Sequence, residues 1–156
     1  DLANIMAALE KGLDVFHGDI DQGLGIIPDN AYDYVILSQT LQVVRKPQLV
    51  LQEMLRVAAA GIVIFPNFAN WHNRVQLGLR GHMPKSEGLP YEWYETPNIH
   101  LATRKDVIEL CRQEHFAIKD MICIPENALS CLLVRLHWCD LGADRVLLQI
   151  TRGQET

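Results

Sequence analysis

At 156 residues, 49% of them hydrophobic and 21% charged, the chain is long enough for one domain with a real core. A net charge of −5 argues against a nucleic-acid backbone as the main partner, and no apolar run approaches the ~20 residues that span a bilayer. Cys111, Cys123, Cys131 and Cys139 form no C-x-x-C pair and sit among apolar neighbours, so they read as free thiols of a reducing cytoplasm.

The sequence opens at Asp1, without methionine, directly in a helical pattern. Ile5, Ala8 and Leu9 share one face of Asp1–Lys11, and Gly12 is a fitting stop. Leu13-Asp14-Val15-Phe16 alternates like a short strand and leads into His17-Gly18-Asp19-Ile20. Asp21–Asn30 is loop, with Gly23, Gly25 and Pro28. Tyr32–Leu37 ends in four aromatic or aliphatic residues without a break, which predicts a central strand buried on both faces. Ser38, Gln39 and Thr40 follow at its carboxyl end, the edge of an open α/β sheet where loops line a ligand crevice. These three either face a site or cap the next segment. Pro47 suits the first turn of a helix that buries Val50, Leu51, Met54, Leu55 and Val57 and runs through Ala58. Gly61–Phe65 is a second fully apolar strand, closed by Pro66.

Asn67–Ala102 reads as an insertion. It holds a short helix, Trp71–Leu79, and then a stretch with Gly81, Pro84, Gly88, Pro90 and Pro97. Connections of this length are usually functional or disordered. Phe68, Trp71, Tyr91, Trp93 and Tyr94 argue against disorder. Thr103-Arg104-Lys105-Asp106 has the capping-box pattern and opens a helix through Glu114. Ala117–Ile124 and Arg145–Ile150 read as strands antiparallel to each other, and Glu126–Asp144 between them shows no convincing helix. Strands alternating with helices predict one α/β domain over 1–156 with a largely parallel sheet.

Asp19, directly after the first alternating segment, either accepts a hydrogen bond from an exocyclic amine, with Ile20 packed on the ring, or is a turn former before Gly23. The segment from Trp71 to Tyr94 also carries His72, Arg74, Arg80, His82 and Lys85, with no acid before Glu87. That composition fits a substrate lid, a partner surface, or a packed loop covering the sheet. His100 has the chemistry of a general base, but no Ser or Cys pairs with it by spacing, and a structural role fits as well. The six histidines show no metal spacing. Neither G-x-G-x-x-G nor a P-loop occurs.

Several runs carry a family resemblance. They are Asp19-Ile20-Asp21-Gln22-Gly23-Leu24, Tyr32 through Gln42, Glu53-Met54-Leu55-Arg56-Val57 and Phe65-Pro66-Asn67-Phe68. More specific are Gly81-His82-Met83-Pro84, Leu89-Pro90-Tyr91 and Trp93-Tyr94-Glu95-Thr96-Pro97-Asn98-Ile99-His100. In these runs, from Asp1 to about Glu114, the chain resembles the MetW (methionine biosynthesis protein W) family, which has a Rossmann-like class I S-adenosylmethionine-dependent methyltransferase fold.

The resemblance implies a cytoplasmic role in methionine biosynthesis alongside homoserine O-acetyltransferase. It places Asp19 and Ile20 at the adenine of S-adenosylmethionine, and Ser38, Gln39 and Thr40 along the cofactor pocket. It makes Asn67, Trp71, Arg80, Tyr91, Trp93, Tyr94 and His100 the substrate or partner residues. The alternative is a small-molecule methyltransferase with His100 or Tyr91 near the acceptor, although no acceptor-activating base stands out. In the family pattern a strand, a glycine-rich loop, a helix and an acid-tipped strand would precede Asp1. The expectation is therefore of an incomplete fold that holds S-adenosylmethionine weakly or not at all.

Overall fold

In the computed structural model, which describes residues 2–16, 18–84 and 99–153, the chain begins with α1 (Leu2–Glu10) and a 3-10 turn (Ile20–Gln22). Then come β1 (Tyr32–Ser38), α2 (Pro47–Val57), β2 (Ala58–Pro66) and α3 (Trp71–Arg80). The second half runs α4 (Arg104–Gln113), β3 (Phe116–Ile124), α5 (Ala128–Arg135), α6 (Cys139–Gly142) and β4 (Arg145–Arg152). The strands form one sheet in the order β1-β2-β4-β3. β1 and β2 are parallel, and β4 lies antiparallel between β2 and β3. The fold is α/β as expected, and among the described strands the sheet is mixed rather than largely parallel: β1–β2 is parallel, while β4 pairs antiparallel with both β2 and β3.

The core lies where α2 and α4 cover one face of the sheet. Val50, Leu51, Met54 and Leu55 of α2 recur at helical spacing and meet Val63 and Phe65 of β2 and Leu148 and Ile150 of β4. Val107 and Cys111 complete the cluster from α4. α4 starts where its sequence predicts: Thr103 Oγ1 accepts from Asp106 N, and the Asp106 carboxylate accepts from Thr103 N at 2.9 Å. α2 starts at Pro47 and ends at Val57, and Ala58 already belongs to β2.

A polar knot fastens the loop before β1. The Glu53 carboxylate accepts from Leu24 N at 2.8 Å and from Arg56 at 2.8 and 2.9 Å. Arg56 also donates to the carbonyls of Leu24 and Ile27 and to Asp29. These bonds hold the Glu53 carboxyl below its usual range, the Arg56 hydrogen bond contributing most.

Three further expectations change. Leu13–Phe16 is irregular, not a strand, and Leu13 and Phe16 are exposed. Alternation alone does not make a strand without a neighbour to pair with. β1 is not buried on both faces. It pairs only with β2 among the described residues, and Tyr34 and Ile36 are 58% and 64% exposed while Leu37 reaches the core. An unbroken apolar run predicts two covered faces, and only one is covered. The segment between β3 and β4 contains helices after all, α5 and α6. α5 is capped by Asn127, whose side chain accepts from Ser130 N at 2.8 Å.

Candidate ligand cleft

The carboxyl ends of β1, β2 and β3 and the start of β4 meet around a cleft of about 500 Å3. Its walls are rich in carboxamides: Gln39 and Gln42 after β1, Asn67, Asn70 and Asn73 around the start of α3, and Asn127 before α5. Ile99 and Leu101 form an apolar wall.

Gln39 stands at the end of β1 with φ 52°, in the left-handed region that a non-glycine residue rarely adopts. Its backbone N–H donates to Ile64 O at 2.8 Å, and Thr40 Oγ1 donates to Ser38 O at 2.9 Å. The turn thus sends Gln39 to the cleft at the sheet edge where ligands bind.

Asn67 is the point on which the cleft floor is built. Its side chain is 1% exposed. Nδ2 donates to Ala143 O at 2.9 Å and Asp140 O at 3.1 Å. Oδ1 accepts from Arg104 N at 3.2 Å and Ala69 N at 3.3 Å. One amide therefore ties the end of β2 to the first turn of α4 and to the α6–β4 connection.

Asn70 caps α3 by accepting from Asn73 N at 2.9 Å, and its Nδ2 donates to Asp144 Oδ1 at 3.2 Å. Asp144 Oδ2 accepts from Glu126 N at 2.7 Å. Arg145 pairs with Glu126. Beneath the floor Arg104 Nε donates to Asp140 Oδ1 at 2.6 Å, which holds the Asp140 carboxyl low.

The other expected site residues are scattered. Asp19 caps the 3-10 turn: Oδ1 accepts from Asp21 N at 3.0 Å and Oδ2 from Gln22 Nε2 at 3.2 Å. Its carboxylate is exposed and keeps acceptor capacity. Ile20 packs on the edge of the core. Ser38 is exposed. Trp71 turns inward, and its Nε1 donates to the buried Ser130 Oγ at 3.2 Å. Arg80 is exposed at the end of α3. His100 is exposed with its N–H bonded to Gln42 O at 2.7 Å; it does not line the cleft, although its neighbours Ile99 and Leu101 do. Tyr91, Trp93 and Tyr94 lie outside the described residues. Sequence reasoning missed Gln42, Asn70, Asn73, Asp144 and Arg145. The signal for two of them was present as Asn67-x-x-Asn70-x-x-Asn73, amides at successive turns entering a helix.

A parallel pair continued by antiparallel β4 and then β3, with a cleft at the carboxyl ends of β1, β2 and β3, defines a Rossmann-like methyltransferase fold. An S-adenosylmethionine-dependent methyltransferase of Thermotoga maritima superimposes with a TM-score of 0.60 at 16% identity, over 93% of this chain and 66% of that one. One from Mesorhizobium loti gives 0.58 at 14% identity, over 90% and 70%. At these identities the likeness is one of fold. The description "Methionine biosynthesis protein MetW" matches residues 1–148, and the chain belongs to that family. It is also 38% identical over 120 residues to the "bifunctional methionine biosynthesis protein MetXA/MetW" of Rhodopirellula baltica. That match takes in 76% of this chain and spans 19% of the length of the relative.

Proposed function

We propose that this chain is a methionine-biosynthesis protein that acts, on a methyltransferase fold, with homoserine O-acetyltransferase. The observation that carries the partnership is the Rhodopirellula baltica relative, whose name joins MetXA and MetW in a single polypeptide. Linking two modules raises their effective concentration toward each other, and that gain matters when they work together. The outer face of α3 supports a partner surface. Val75 and Leu79, one turn apart, are 47% and 83% exposed, with Arg80 beside them. Apolar side chains next to an arginine are the kind of group that anchors an interface.

For the cofactor, Asp19 and Ile20 would hold the adenine, and Ser38, Gln39 and Thr40 would line the pocket. The fit rests on Asp19, whose exposed carboxylate retains lone pairs for an exocyclic amine after capping its turn. S-adenosylmethionine supplies a transferable methyl group when bound.

Two experiments test the reading. Leu79→Asp with Arg80→Ala removes the apolar and cationic contacts without touching the core. The variant is expected to fold as before and to lose co-purification with homoserine O-acetyltransferase; undiminished co-purification refutes the surface. Calorimetry with S-adenosylmethionine tests the cofactor site: in a polypeptide that also carries the family's glycine-rich loop and acid-tipped strand, Asp19→Ala should weaken binding about ten- to a hundredfold. An unchanged dissociation constant leaves Asp19 as a turn former only. A second reading, methyl transfer to a small acceptor, is favoured by the cleft beside Gln39. Turnover of labelled cofactor, with and without the acetyltransferase, separates the two.

A further inference from the structure

The four cysteines are all free thiols, but they are not equivalent. Cys111 is buried and Cys131 exposed, while Cys123 and Cys139 are both part-exposed. Cys123 lies near the end of β3, and Cys139 opens α6. The fold brings these two elements together. The α6–β4 connection runs along the end of β3, where Asp144 N donates to Ile124 O at 3.0 Å. One guanidinium then touches a neighbour of each cysteine. Arg104 Nε donates to Asp140 Oδ1 at 2.6 Å, one residue from Cys139. Arg104 Nη1 reaches Met121 Sδ at 3.3 Å, and Met121 shares a strand face with Cys123. Beside these contacts the Cys123 and Cys139 thiols come within hydrogen-bond reach of each other.

We propose that Cys123 and Cys139 form a reversible dithiol–disulfide pair that exchanges with small disulfides such as oxidised glutathione. The Cys139 thiolate attacks one sulfur of the small disulfide, forms a mixed disulfide and releases one glutathione thiolate. Cys123 then loses its proton and attacks the Cys139 sulfur, and the second glutathione thiolate leaves. The two protein thiols are oxidised by two electrons, and their two protons pass to the two departing thiolates. Burial, followed by the hydrogen bond with Cys139, pushes the Cys123 thiol up to about 12, so Cys123 is the resolving partner and Cys139 attacks first. The Arg104 charge acts on both sulfurs and favours each thiolate as it forms. The finished bond closes a loop that contains α5 and the cleft residues Glu126 and Asn127, and clamps α6 to β3. The pair stands apart from the cofactor and partner readings, because its assay contains neither.

The test takes the fully reduced full chain through a series of glutathione buffers at fixed total glutathione, quenched by alkylation and read by peptide mass analysis. The expected product is one internal disulfide joining Cys123 to Cys139, with Cys111 still a thiol. Because its second step is intramolecular, the linkage should be half-formed at an oxidised fraction at least about tenfold below the one that half-loads the more exposed Cys131 with glutathione. Cys123→Ser should stop the reaction at a glutathione adduct on Cys139. Cys139→Ser should slow the modification of Cys123 about tenfold or more. The oxidised chain should melt about 5–10 °C above the reduced one. Three results overturn the proposal: no Cys123–Cys139 linkage in excess oxidised glutathione, linkage only at an oxidised fraction that also loads Cys131, or Cys123 reacting as fast in Cys139→Ser as in the parent. An oxidised chain that melts no higher than the reduced one overturns the clamp. If either variant does not fold, the buffer series on the parent chain, which needs no substitution, decides.

Discussion

Asn67→Ala removes one side chain and four hydrogen bonds, two donated and two accepted. The truncation leaves the carbonyls of Asp140 and Ala143 and the amides of Ala69 and Arg104 without this partner, at a position 1% exposed. Each buried polar group left unpaired costs about 1–3 kcal/mol. The vacated space can hold a water that restores part of the pairing, so the net loss is about 2–4 kcal/mol. For a chain of this length, 1 kcal/mol moves the melting temperature by about 2–4 °C. The expected fall is therefore on the order of 5–15 °C, read by differential scanning calorimetry. Asn67→Asp should be worse at neutral pH, since it sets a carboxylate oxygen against the two carbonyls Nδ2 now serves. If Asn67→Ala melts within about 2 °C of the parent, the four Asn67 hydrogen bonds do not stabilise the fold. Asn67 then returns to the role the sequence assigned it, as a substrate or partner contact.

Three further outcomes follow from the same structure. The folded-state pKa values of Glu53 and Asp140 are depressed by Arg56 and Arg104 respectively. The stability they contribute is present above their ordinary values of 4.5 and 3.8 and is lost as pH falls through the lower folded values. Glu53→Gln should flatten the acid limb of a melting-temperature profile below about 4.5, and an unaltered limb refutes the linkage. At Gly142 a Cβ would sit 2.7 Å from Val134 N and 2.8 Å from Ser130 O, so Gly142→Ala must push α6 off α5. Overpacking of this kind costs about 1–3 kcal/mol, checked by urea unfolding; a neutral variant means that the helix contact is soft. Burial raises the Cys111 thiol to about 11 and the Cys123 thiol to about 12, whereas Cys131 is exposed. Alkylation followed by peptide mass analysis should label Cys131 first and leave Cys111 until the chain unfolds.

The elements that packing dictates were legible. α2, β2 and α4 show their buried faces as period or unbroken apolar runs, and α4 announces its start through Thr103 and Asp106. The failures share a cause. An apolar run says that a strand is sticky, not that both its faces are covered, and Tyr34 and Ile36 show the difference. α5 went unread because its sequence, ALSCLLVR, is apolar around much of its circumference and so carries a weak period, while the cap at Asn127 lies behind a proline and a glutamate.

The cleft was half legible for a different reason. Position relative to a strand end located Gln39, because the carboxyl edge of a sheet is a topological place that sequence order predicts. Asn67 was picked out by its family-like run, yet its hydrogen bonds go to residues as far as 76 positions away, and no local pattern contains them. Asn70, Asp144 and Arg145 are joined in the same way, through bonds that exist only after β4 has inserted between β2 and β3. A polar site of this kind is specified by which carbonyls and amides the chain crossings leave over. Asn67 and Asn70 spend both ends of their amides on the fold, and only once that account is complete does the Asn73 oxygen stand out, buried and without a partner among the described residues.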